Sequence, residues 1–203
     1  MEEPARSRNP ERTRQVVLEA AESLFSERGF AGTSMRDIAG VSGISQPLIH
    51  HHFGCKQELY VAVRRRGIHD FAERFPDLAI GGDQPLDVRS ELTRIFDYLL
   101  ENQVCLRLIG WARLEGMQPT LPEEAELTRS MVRRIERAQQ LGLIRRDIEP
   151  VNLSAMLLSF IIYWLENRPH FGQVAAGTVD DRAYLEQAIS LLERGLSPSS
   201  VEG

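Results

Sequence analysis

The sequence predicts an all-α fold in two parts: a three-helix, helix-turn-helix domain over residues 13–60 and a larger helical domain over residues 61–196. Three observations predict it. Apolar residues recur at i, i+3 and i+4, and no segment alternates as a half-buried strand does. Short helices bounded by breakers before residue 60 give way to long ones after about residue 75. Charge divides at nearly the same place: residues 1–66 carry 10 Lys+Arg against 8 Asp+Glu, a net +2, and the remainder a net −7, within an overall −5. The front of the molecule is therefore where an anionic partner is expected. Residues 1–12 are expected to form a flexible arm and residues 197–203, within "SPSSVEG", a disordered tail.

The first helix opens at Asn9, a good N-cap, with Pro10 at N1 and Glu11 in the first turn. Val17, Ala20, Ala21, Leu24 and Phe25 make one apolar stripe, which is core, and Gly29 ends the helix. Ser34 and Asp37 have capping-box spacing ahead of Met35, Ile38 and Ala39, and Gly43 stops that second helix. Ser45 caps the third, with Pro47 tolerated in its first turn and Ile49 and Phe53 turned inward. Lys56 begins a longer helix through Leu59, Val63 and Phe71. "PDLAIGGDQP" is a linker; helices follow at roughly 85–102, 104–116, 121–141, 150–167 and 180–195. "ENRPHFGQVAAGT" breaks the last two.

Composition excludes several classes. The chain has 203 residues, 42% hydrophobic and 26% charged, as a globular protein does. Its longest apolar run, "AMLLSFIIYWL", falls short of the ~20 residues that span a bilayer, so no membrane partner is expected. The N-terminal "MEEPARSRNPERTR" lacks the apolar core of a secretory signal, and Cys55 and Cys105 form no framework; a cytoplasmic protein is expected. No phosphate-binding glycine loop, zinc-protease motif or nucleophile elbow is present, so no enzyme, and no cofactor, is expected.

"ISQPLIHHHFGCKQEL" poses a sharper question, because His50, His51, His52 and Cys55 are all metal-ligand types. On a helix adjacent residues fan out by about 100°, and i, i+4 spacing leaves only His51 with Cys55. Two ligands do not close a structural site, so no metal site is expected. A metal sensor built on these residues, or on His69, Cys105 and His170, stands as the alternative. A better account comes from spacing. Small Ala39, then Gly43 where positive φ is cheap, then inward Ile49 suit two short helices joined by a tight turn, the unit that enters the major groove.

Residues 12–60 also resemble the DNA-binding domain of TetR-family transcriptional regulators. The resemblance rests on "AAESLFSERGFAGTSMRDIAGVSGIS" and "HHFGCKQEL": Ala20-Ala21, Leu24-Phe25, Gly29-Phe30, Thr33-Ser34, Arg36 to Ala39, Gly43 to Ser45, His52-Phe53, Lys56 and Leu59. Two positions depart: Pro47 stands where the family has a glycine, and His50 where it has a tyrosine that touches the DNA backbone. The resemblance implies a double-stranded DNA operator. Gln46, Pro47 and Leu48 are then the candidates for base edges. Thr33, Ser34, Arg36, Ser45, His50, His51 and Lys56 are the phosphate set. Arg6, Arg8, Arg12 and Arg14 of the arm add electrostatic or minor-groove contact, whereas Arg64 to Arg66 read as a solvated face.

For the larger half the resemblance implies a ligand-binding and dimerisation domain. The two C-terminal helices, about 150–167 and 180–195, are expected to form a homodimer, and the middle helices to enclose a small-molecule effector of unknown identity. Apolar residues with a few polar anchors make such a site, and the candidates are Phe96, Leu99, Trp111, Glu115, Phe160, Tyr163 and Trp164, with Met117 nearby. The mechanism implied is repression of a palindromic operator relieved by ligand, through a coupling of ~1–3 kcal/mol between two sites.

Overall fold

The structure, a computed structural model, describes residues 9–79, 84–116, 121–175 and 177–198, and among these it holds ten helices and no strand. They are α1 (Pro10–Arg28), α2 (Met35–Ser42), α3 (Gln46–Phe53), α4 (Lys56–Arg74), α5 (Pro76–Ala79), α6 (Val88–Glu101), α7 (Gln103–Leu114), α8 (Pro122–Gln140), α9 (Pro150–Val174) and α10 (Asp181–Leu196). The chain divides into two compact units. One comprises Met1–His69 with Arg107–Thr120; the other comprises Asp70–Leu106 with Leu121–Gly203. The first unit thus runs past residue 60 and takes in most of α7. Arg6, Arg8, Met117 and the last five residues lie outside the described residues, while Pro10–Arg12 are already helical.

In the first unit the caps of α1 and α2 act as the sequence predicts, whereas Ser45 makes no side-chain capping bond at α3. Asn9 Oδ1 accepts from Glu11 N at 3.1 Å. Ser34 and Asp37 form a reciprocal capping box, and Gly43 closes α2 in the left-handed region at φ 68°. The core joins Val17, Leu24 and Phe25 of α1, Ile38 of α2, Ile49 and Phe53 of α3, Leu59, Tyr60 and Val63 of α4, and Leu108 of α7. Two eight-residue helices cannot nucleate alone in water; here each lays an apolar side on a ready core.

The second unit buries Leu92, Ile95, Phe96 and Leu99 of α6 with Ile135 of α8, Leu153, Leu157 and Ile161 of α9, and Leu185 and Ile189 of α10. Two segments differ from expectation. The linker after residue 75 contains the short α5, whose Leu78 and Ala79 are buried. "ENRPHFGQVAAGT" does not break the chain at its start, since α9 continues through Pro169 to Val174. A mid-helix proline forfeits one backbone hydrogen bond and costs ~3 kcal/mol. Side-chain contacts offset it: Leu165 is buried, and Trp164 stacks on Phe171, about two turns further along the same helix (centroids 5.6 Å).

Candidate nucleic-acid interface

The helix-turn-helix sorts its third helix by face. Ile49 (0% exposed) and Phe53 (6%) anchor α3 in the core, whereas Gln46 and Pro47 are exposed and Leu48 half-buried. The three candidates for base edges therefore stand together at the front of α3. Ser45 holds the N-cap position without a side-chain capping bond, so its hydroxyl is not used in capping. Arg36 is exposed on the first turn of α2. Its neighbour Asp37 is held below the usual carboxylate range, chiefly by the Ser34 hydroxyl, then by the Ser34 backbone N–H.

The histidines divide by direction. His50 and His51 are exposed, and His52 is half-buried. His50 Nδ1 lies 2.5 Å from the Gly54 carbonyl; a carbonyl only accepts, so Nδ1 carries the hydrogen and Nε2 is the outward nitrogen. Cys55 occupies the turn ahead of α4, and its N–H donates to Glu58 Oε2 at 2.8 Å. That bond is the largest cause of the lowered Glu58 pKa. Among the described residues no three His, Cys, Asp or Glu side chains converge as a metal site.

Three residues of the expected phosphate set, and Arg14 of the expected arm, are engaged inside the unit. Thr33 is 2% exposed, and its hydroxyl lies 2.8 Å from Gly29 O and 3.2 Å from Leu24 O. The Ser34 hydroxyl is directed at Asp37 Oδ2, 2.5 Å away. Lys56, the only lysine of the chain, donates to Phe30 O (2.8 Å) and Thr33 O (2.9 Å) and sits 4.1 Å over the Phe30 ring. Arg14 donates to His52 O at 3.2 Å and lies 4.4 Å over the Phe53 ring. A buried carbonyl without a donor costs about as much as a lost hydrogen bond, and that need draws these side chains inward.

The proposed effector-lining residues divide between the units: Phe96, Leu99, Phe160 and Trp164 lie in or against the second unit's apolar cluster, and Trp111 and Glu115 belong to the first unit. Phe96 and Leu99 are buried in the second unit's core. Phe160 packs against that core and accepts from the Tyr184 hydroxyl at 2.6 Å. Trp164 is stacked on Tyr184 (4.0 Å, 4°), and its Nε1 donates to Asp181. Tyr163 is 61% exposed. Trp111 and Glu115 belong to the other unit altogether: Trp111 Nε1 donates to Ser26 O, and Glu115 accepts from Phe30 N and Ala31 N.

Comparison with known proteins decides the family. Residues 17–63 match the model of bacterial regulatory proteins of the tetR family. Residues 87–194, more than half the chain, match the tetracyclin repressor-like C-terminal domain. The chain belongs to the TetR family. Among relatives of this TetR-family chain is the HTH-type transcriptional repressor SCO4008 of Streptomyces coelicolor. It is 28% identical over 177 residues, covering 86% of this chain and 88% of that protein. The solved structure of the putative transcriptional regulator SCO4942 from Streptomyces coelicolor is 25% identical with TM-score 0.75, covering 91% and 98% of the two chains. The TetR-family fold is also shared by AibR in complex with isovaleryl coenzyme A and operator DNA, at 19% identity and TM-score 0.64 over 88% of this chain and 97% of that one. Membership makes the protein a helix-turn-helix, DNA-binding transcriptional regulator. Among the described residues no helix is long and apolar enough to cross a membrane.

Proposed function

We propose that this chain is a homodimeric repressor, cytoplasmic and without catalytic activity, that leaves a palindromic operator when a small organic effector binds its second unit. The observation that carries the reading is the polarity of α3: Ile49 and Phe53 fix its back, and Gln46, Pro47 and Leu48 stand outward at its front. Gln46 suits adenine and Leu48 a thymine methyl. Arg36, Ser45, His50 and His51 supply the phosphate contacts.

Dimerisation is supported by α9. Met156 (51% exposed), Tyr163 (61%) and Val174 (72%) stand 7 and 11 residues apart on one face, and Leu191 of α10 is 63% exposed. Large apolar side chains aligned on one outer face mark an interaction surface, and a two-fold pair of such faces places two reading heads on two half-sites. Phe96, Leu99 and Phe160 share one apolar cluster, which takes the apolar part of the effector.

Fluorescence anisotropy on the DNA upstream of the protein's own gene, with nonspecific competitor and a salt series, tests the reading. The expected result is competitor-resistant binding with a log–log salt slope of about −6, for six or seven neutralised phosphates per dimer. Gln46→Ala is expected to relax base preference at one position per half-site, leaving the slope unchanged. Binding no tighter than competitor on this DNA, and no enrichment from random sequence, would sink the proposal.

A further inference from the structure

We infer that Glu115, assisted by Trp111 and Arg107, is a positioning clamp for DNA binding; the inference rests on the DNA-binding reading above and adds residues that touch no DNA. The last carbonyls of a helix have no intrahelical partner. At the end of α1 one of them, Ser26 O, receives both Arg107 Nε (2.8 Å) and Trp111 Nε1 (3.1 Å). Beyond it the chain turns at Gly29, where φ 71° and ψ −178° lie in a region open essentially to glycine alone. A Cβ there would also stand 2.6 Å from Glu115 Oε1 and 2.7 Å from the Trp111 ring. The turn is built around these two side chains.

Glu115 then closes it. Its Oε2 accepts from Phe30 N at 2.9 Å and its Oε1 from Ala31 N at 3.0 Å. The peptide joining Phe30 to Ala31 is gripped at both ends, because its carbonyl accepts from Lys56 Nζ at 2.8 Å. An anion holds the N–H end and a cation the C=O end, which fixes the orientation of that peptide plane. Two residues further, buried Thr33 leads into the Ser34 cap of α2, where Arg36 stands. A turn left loose has to be ordered when DNA binds, and affinity falls by that cost.

The test uses the full-length protein, with operator anisotropy and amide hydrogen exchange measured on the same variants. Glu115→Gln is expected to weaken operator binding about tenfold, the loss of one charge-assisted bond, with the salt slope unchanged. It should also speed exchange at Phe30 and Ala31, while amides of the Leu92 and Leu157 core stay protected. The sign is diagnostic. Deleting a negative charge from a DNA-binding unit with no clamp would tighten binding. Trp111→Phe, which keeps an aromatic ring and removes the indole N–H together with its five-membered ring, gives a milder loss in the same direction should the first variant fold poorly. A Glu115/Lys56 double-mutant cycle is expected to be non-additive, since both hold one peptide. Equal or tighter binding, unchanged exchange at Phe30 and Ala31, or strict additivity each overturns the clamp. If the wild type bound no operator, the exchange arm would still read the clamp, so the two failures are distinguishable.

Discussion

The two units use charge in different ways. In the first, charged side chains hold backbone: Arg14 on His52 O, Lys56 on Phe30 O and Thr33 O, Arg107 on Ser26 O, Glu115 on two N–H groups. In the second, Arg145 and Arg146 also hold carbonyls, but charge in addition meets charge across helices: Arg89 with Glu186 and Glu193, Arg94 with Asp77, Arg134 with Glu91, Arg168 with Asp181. Short turns expose many unpaired carbonyls and N–H groups, and a reading head made of short helices must satisfy them to keep one shape. Long helices satisfy their own backbone, so their charged residues are left to cross-link neighbours. The first pattern fixes geometry. The second fixes which helices lie together.

The comparison breaks most visibly at Glu91 and Arg134, the pair whose side chains are only 2% and 6% exposed. Glu91 Oε1 accepts from Arg134 and from Asp87 N, but Oε2 is buried without a partner. Burial pushes its pKa up to about 7 despite the guanidinium. The folded state therefore binds more protons than the unfolded chain between about pH 4.5 and 7, so this group's contribution to stability falls as pH rises through that window. Arg134→Met is expected to cost about 3–5 kcal/mol at pH 8, where an unpaired carboxylate is stranded. It should cost less at pH 5, where Glu91 protonates. Glu91→Leu/Arg134→Met is expected to recover most of the loss. Chemical denaturation at both pH values reads this out, and a pH-independent cost would show that the pair does not behave as a desolvated one.

Much of the first unit was legible because its devices are local. Asn9, the Ser34–Asp37 box, Gly43, and Ile49 with Phe53 all act within four residues of their partners or follow a helical period. What sequence reasoning missed lies far apart in the chain: Lys56 reaches back 26 residues, and Trp111 and Glu115 reach back 85. An aromatic and an acid four residues apart look like pocket lining, and periodicity says only that they share a face. Pro169 misled for the opposite reason: a local rule was overridden by the stacking of Trp164 and Phe171. Gly29 offered the one available signal, since a glycine ending a helix also marks a place where something approaches closely.

Lys56 sharpens the comparison from the other side, because a lysine in a DNA-binding unit reads by default as a phosphate contact. Its bonds to Phe30 O and Thr33 O make it a turn anchor. Lys56→Met keeps most of the apolar stem and is expected to destabilise the first unit by about 1.5–3 kcal/mol, the range for hydrogen bonds to a charged group. The salt slope of operator binding is expected to stay unchanged; a slope shallower by about one would instead make Lys56 a phosphate ligand.

The smallest expected effect is at Asp77, and its sign runs opposite to that of Glu91 in the same unit. Arg94 holds both carboxylate oxygens, at 2.6 and 2.8 Å, and this bidentate bond lowers the Asp77 pKa to about 2. The unfolded carboxyl protonates first on acidification. Its stabilisation is present above about pH 3.8 and is lost as pH falls through about 2. Asp77 is 51% exposed, so water and salt screen the pair, and Asp77→Asn is expected to cost only about 1 kcal/mol or less at neutral pH. The informative measurement is the shape of the pH–stability curve. Asp77→Asn should flatten its acid limb and leave the decline between about pH 4.5 and 7 untouched, whereas Glu91→Gln should do the reverse. If either variant changed both limbs, the exposed and the buried pair would be one coupled network linking α5, α6 and α8, and the division of labour between fixing geometry and choosing neighbours would need a third term.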